Sequence, residues 1–83
     1  MPMFMDVHRI GSKVKAEDVA AAHQKDLGVQ DRHNVRYERY WVDEAAGLIY
    51  CLVEAPSAEA AVAVHREAHG LLPDEIHPVV EGS

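Results

Sequence analysis

Only one cysteine, Cys51, occurs in the 83 residues, so no intrachain disulfide can form and no iron–sulfur cluster can be held. Basic residues are also scarce. Eight Lys and Arg stand against 14 Asp and Glu, a net charge of −6 with histidine neutral. That balance argues against nucleic acid or an anionic membrane as the main partner, because both demand a cationic face, and it suits a cation. No apolar run approaches the ~20 residues of a membrane span. The N-terminal stretch has no basic region leading into an apolar one. The chain therefore reads as cytoplasmic. There is no Gly-rich phosphate loop, no internal repeat and no low-complexity tract.

Histidine is abundant, with six in a short chain. Hydrophobic residues make up 48 %, too many for disorder. The length allows one domain, residues 1–83. A domain this small buries only about 60 % of the surface its unfolded chain exposes, so pairing with a second copy would add needed buried area.

Residues 3–10 read as a strand, with Met3, Met5 and Val7 alternating with Phe4, Asp6 and His8. Residues 15–27 read as a helix: Val19, Ala22 and Leu27 form an apolar stripe, Glu17 and Asp18 occupy the first turn, and Gly28 is the expected stop. After a polar loop at 29–34, residues 35–42 carry Tyr37, Tyr40, Trp41 and two valines, types suited to a pleated surface. A hairpin loop at 43–47 leads to residues 48–55, the most apolar strand and so the one expected at the sheet centre. Ser57 is a good N-cap for a helix over 58–69, and Gly70 ends it. Residues 75–80 make a last strand, which Pro78 assigns to a sheet edge.

This order, β-α-β-β-α-β, predicts an α+β, ferredoxin-like fold: a four-stranded antiparallel sheet with two helices on one face. The other face is left bare. If Met3, Met5 and Val7 face the helices, then Phe4, Asp6 and His8 lie on the bare face beside Leu52 and Glu54. A bare apolar face predicts a homodimer.

His65 and His69 stand four apart on the second helix and share one side of it, a common way to offer two imidazoles to one metal. Arg66 follows His65 where a zinc-protease motif needs Glu, so that chemistry is not expected. Chain direction groups the other candidates. One sheet edge gathers His8, His69 and His77. The opposite edge gathers His23, Asp26, Asp31, His33 and Glu54. Asp6 and His8 share one side of the first strand. Imidazole with carboxylate is a donor mix suited to nickel, zinc, cobalt or copper. Cys51 reads as a buried structural thiol, and Tyr37, Tyr40 and Trp41 as sheet packing.

Three segments carry a resemblance: Arg39-Tyr40-Trp41-Val42-Asp43-Glu44, Cys51-Leu52-Val53-Glu54-Ala55-Pro56-Ser57 and Val64-His65-Arg66-Glu67-Ala68-His69-Gly70. With them the chain, over roughly residues 4–80, resembles a small family of bacterial proteins long described only as a domain of unknown function. Its named members are described as nickel-binding. The resemblance implies a ferredoxin-like dimer that binds nickel, with a part in nickel sequestration or tolerance. Of the motif residues it bears on His65, His69 and Glu54. Two other readings stand beside metal binding. One is a cofactor-free monooxygenase or isomerase acting on a small organic molecule at the open sheet face, lined by Asp6, His8, Tyr37 and Glu54. The other is an interaction module with incidental histidines.

Overall fold

The computed structural model describes residues 1–82. Along the chain run β1 (Met3–Arg9), α1 (Ala16–Val29), a 3-10 turn (Gln30–His33), β2 (Arg36–Asp43), β3 (Leu48–Glu54), α2 (Ala58–Ala68) and β4 (Glu75–Val79). The four strands form one sheet in the order β2-β3-β1-β4, antiparallel throughout. This is the expected ferredoxin-like α+β arrangement. The apolar β3 is an inner strand, and β4, with Pro78, is an edge.

The core lies between the sheet and the helices. Ile49, Cys51 and Val53 point inward from β3 and meet Val19, Ala61 and Val64 from the helices. Val53 and Val64 are fully buried; burying a side chain of that size contributes about 1.5–3 kcal/mol. The Ser57 hydroxyl accepts from the Ala60 amide at 3.2 Å and caps α2, worth about 1 kcal/mol. Gly70 ends α2 with φ +79, its amide returning to the His65 carbonyl at 2.8 Å.

Gly28 does not stop α1. The helix continues through it to Val29, then tightens into the 3-10 turn, and the left-handed residue that ends the run is Asn34 at φ 56. Asn tolerates that conformation through its short polar side chain. At the β2–β3 hairpin, Gly47 has φ +69, and a Cβ there would collide with the Ser12 carbonyl. Only glycine lets the 10–15 segment lie that close.

The facing of β1 is the reverse of the expectation. Phe4, Asp6 and His8 point toward the helices, with Asp6 and His8 buried and Phe4 packed on the core. Met3 and Met5 line the open face with Leu52, Arg39 and Trp41. Alternation separates two faces but does not say which is covered. Asp6 and His8 are buried because partners meet them there, whereas methionines tolerate a half-covered surface. A bulge between Tyr37 and Arg39 shifts the β2 register, which puts Tyr37 and Tyr40 on the same inward side although they are three apart. Tyr37 is therefore core, as its reading as sheet packing expects, and not at the open-face pocket of the enzyme reading. The open-face enzyme reading keeps only Glu54 of its four residues.

Candidate metal centre

Four elements converge on one buried polar cluster. Asp6 and His8 come from β1, Cys51 from β3, His65 and His69 from α2 and its C-cap, and Asp26 from α1. Register places Asp6 opposite Cys51 on the inward face of the sheet. The i, i+4 spacing puts His65 and His69 over the same spot. Helix packing brings Asp26 to them.

His65 sits at the centre, 1 % exposed. Its Nδ1 lies 2.9 Å from Asp26 Oδ1 and its Nε2 lies 3.0 Å from Asp6 Oδ2. Both nitrogens face carboxylate oxygens, so both carry protons and the ring is an imidazolium. Burial alone would push its pKa down. The hydrogen bonds to Asp26 and Asp6 outweigh burial and raise it to about 9. Burial likewise pushes the Asp6 carboxyl up, but the hydrogen bond to His65 and the neighbouring His8 win, and it sits well below the usual carboxylate range. The Tyr37 hydroxyl donates toward Asp6 Oδ2 at 2.8 Å and toward the Ala61 carbonyl at 3.1 Å. Burial, followed by the charge on Asp6, raises its pKa far above normal.

His69 is held in the other state. The Leu71 amide donates to its Nδ1 at 3.0 Å, so the proton resides on Nε2, which faces Asp26 Oδ1 at 3.0 Å. Burial lowers its pKa and keeps the ring neutral. His8 and His69 flank His65, with ring centroids 4.9 and 5.0 Å from it.

One atom in this network is left over. Asp6 Oδ1 is buried and has no hydrogen-bond donor. His8 Nε2 lies 3.2 Å away but is not aligned to donate. Buried oxygens without partners are rare and call for an explanation. Asp6, His8, Cys51 and His65 each offer a ligand atom, all within 4.8 Å of one another; Asp26, His65 and His69 form a second such group. A cation beside Asp6 Oδ1 would supply the missing partner, so the donor set fits a transition metal. Burial, first, and Asp6, second, raise the Cys51 thiol far above its normal pKa. It stays protonated until a metal displaces that proton.

A model of the family described as nickel-responsive protein SCO4226-like matches residues 4–79. The chain belongs to the SCO4226-like family of nickel-responsive proteins. The fold is similar to the crystal structure of SCO4226 from Streptomyces coelicolor A3(2), with a TM-score of 0.90. The two are 47 % identical in sequence, over 98 % of this chain and 99 % of that one. No curated protein sequence matches the chain.

In this member of the SCO4226-like family the sequence candidates separate into two groups. Asp6, His8, Asp26, His65 and His69 come together. The division into two sheet edges fails for Asp26 and His69, which meet at 3.0 Å because the C-terminal part of α1 packs on that of α2. His23 is half-buried against Tyr40, 4.8 Å between ring centroids. His33 bonds Glu67 at 2.8 Å. His77 is exposed and faces Glu75 at 3.1 Å. Glu54 lies with the Leu52 side of β3, where its proximity raises the pKa of Glu38. None of these four joins the cluster. Cys51 and Tyr37 belong to the cluster; Cys51 was expected only as packing, and Tyr37 as packing or, in the enzyme reading, on the open face; the signal for Cys51 was its inward parity beside Val53 on the strand expected at the sheet centre.

Proposed function

We propose that the protein binds nickel at the buried cluster and holds it for sequestration or tolerance in the cytoplasm. The unpartnered Asp6 Oδ1 carries this reading, because His8 Nε2 and the Cys51 thiol stand beside the one buried side-chain oxygen among the described residues that lacks a donor. The family's description as nickel-responsive supports the choice of metal. Imidazole, carboxylate and thiolate together also accept zinc, cobalt and copper. Asp6, His8 and Cys51 would be ligands. His65, fixed between Asp6 and Asp26, would orient Asp6 and accept a ligand role only on losing a proton. His69 and Asp26 would hold His65 in place.

Titrating metal-free protein with nickel, with zinc and copper beside it, checks the reading by calorimetry. Saturable nickel binding is expected, weakened by tenfold or more in Asp6→Asn and His8→Ala, the usual effect of losing a ligand or its partner. Proton release should accompany binding as the Cys51 thiol ionises. Affinity should fall steadily as pH is lowered through the neutral range, because each metal bound displaces the Cys51 proton. Absence of saturable heat with all three metals would overturn the proposal.

The open sheet face supports a homodimer. Trp41 is 47 % exposed there, beside Met3, Met5 and Leu52, and Glu38 and Arg39 give the face both signs of charge. Sedimentation equilibrium should give twice the 9.2 kDa chain mass, and Trp41→Glu with Leu52→Glu should return it to one. A wild-type monomer at high micromolar concentration would rule the dimer out.

A further inference from the structure

A cavity of about 360 Å³ opens between the 10–15 segment, α1 and the inward faces of β2 and β3. On the α1 side the small Ala22 leaves room, and Tyr40, Ile49 and Cys51 line the sheet side. Val14, Val19, Ala22, Ile49 and Leu71 give it apolar walls. At its base lie His8, Cys51 and His69. At its mouth stand Lys13 and Lys15, both exposed, with Asp18. Neither lysine has an ion-pair partner among the described residues. The mouth therefore carries one positive charge in excess, on a chain that is strongly acidic elsewhere.

We propose that this cavity binds a small monocarboxylic acid, its carboxylate at Lys13 and Lys15 and its compact apolar body between α1 and β3. The volume is near the lower end of the range for small-molecule pockets, and apolar walls with a few convergent polar groups are the usual composition of one. A carboxylate answers the two unpaired ammonium groups, where a cation would meet repulsion. The base offers imidazole edges to a hydroxyl at the far end of the molecule. Neither metal nor catalysis is needed for this binding. It stands apart from the nickel reading, although the cavity opens onto the same histidines.

The test uses metal-free protein in chelator, so that a carboxylate cannot act by capturing metal. The probe is 4-hydroxyphenylacetate, and its neutral counterpart is 4-hydroxyphenylethanol. Amide chemical shifts are followed by NMR through a titration to millimolar probe. Saturable shifts centred on Val14, Val19, Ala22 and Ile49 are expected with the acid. Binding should weaken several-fold with the neutral probe and in the Lys13→Ala, Lys15→Ala variant, as two partly exposed ion pairs require. Ala22→Trp, which fills the cavity, should abolish it. If that variant fails to fold, the lysine variant carries the test, since both lysines are solvent-exposed. No saturable shift, or shifts confined to the open sheet face, would overturn the site. Equal binding of acid and alcohol would overturn the assignment to a carboxylate. Nickel binding that survives while the probe fails would sink this inference and leave the metal reading standing.

Discussion

His65→Ala should destabilise the metal-free protein by about 3–5 kcal/mol, the cost of stranding buried charge. In the wild type the imidazolium lies 2.9 Å from Asp26 and 3.0 Å from Asp6, and all three groups are nearly inaccessible to water. Removing the ring leaves two carboxylates facing each other in a low-dielectric interior, plus a cavity. Domains of this size hold only about 5–15 kcal/mol in total. The thermal midpoint should therefore fall by at least about 12 °C. Replacing the whole triad behaves differently. In a variant with Asp6→Val, Asp26→Leu and His65→Leu no charge is stranded, and the Tyr37 hydroxyl keeps the Ala61 carbonyl at 3.1 Å. That triple variant should be more stable than His65→Ala and should bind no nickel, since burying an ion triad often costs as much as it returns. Thermal denaturation of the two variants decides the matter. A triple variant less stable than the single one would show that the triad stabilises the fold on balance.

The stability of metal-free protein should be greatest near pH 6.5; it should decline as pH rises toward 9, and the depressed pKa of buried His69 should take some of it away as pH falls below 6.5. His65 drives the decline. Its pKa is raised from 6.5 to about 9 by Asp26 and Asp6 against the opposing effect of burial. A raised pKa means that the folded state holds the proton more tightly, so its contribution is complete below pH 6.5 and is lost as pH climbs through 9. The size is on the order of 3 kcal/mol. Asp6 acts in the opposite sense. Its pKa is depressed, so its contribution is present above about pH 4 and is lost as pH falls further. Above pH 9 the raised pKa values of Cys51 and Tyr37 add to the alkaline loss, because the unfolded chain ionises there first. Urea denaturation in chelator from pH 3 to 10 measures this profile. A flat profile between pH 6.5 and 9 would mean that His65 is not held as an imidazolium.

Much of the architecture was legible because local signals agreed with one another. The continuous apolar run of β3 marked an inner strand, Pro78 an edge, and Ser57 and Gly70 the ends of α2. Gly28 misled because glycine tolerates a helix interior at a cost that packing can offset, and the actual stop was Asn34. The parity of β1 was not legible. Burying Asp6 and His8 runs against transfer cost and becomes favourable only through His65 and Asp26, which are 59 and 20 residues from Asp6 in sequence. No local pattern contains that information. For the same reason His65 and His69 could be found from their i, i+4 spacing, whereas Tyr37 could not be read as a donor to Asp6: the bulge that turns it inward is a tertiary feature of β2.

The central claim is that nickel enters beside Asp6 and His8 under the helices. Anomalous diffraction at the nickel edge, from crystals grown with the metal, tests it most directly. The predicted result is a peak within bonding distance of Asp6 Oδ1 and His8 Nε2, with Cys51 Sγ adjacent. Peaks only at exposed groups such as His77 with Glu75, or His33 with Glu67, would contradict it and return the family's nickel response to the surface of the protein.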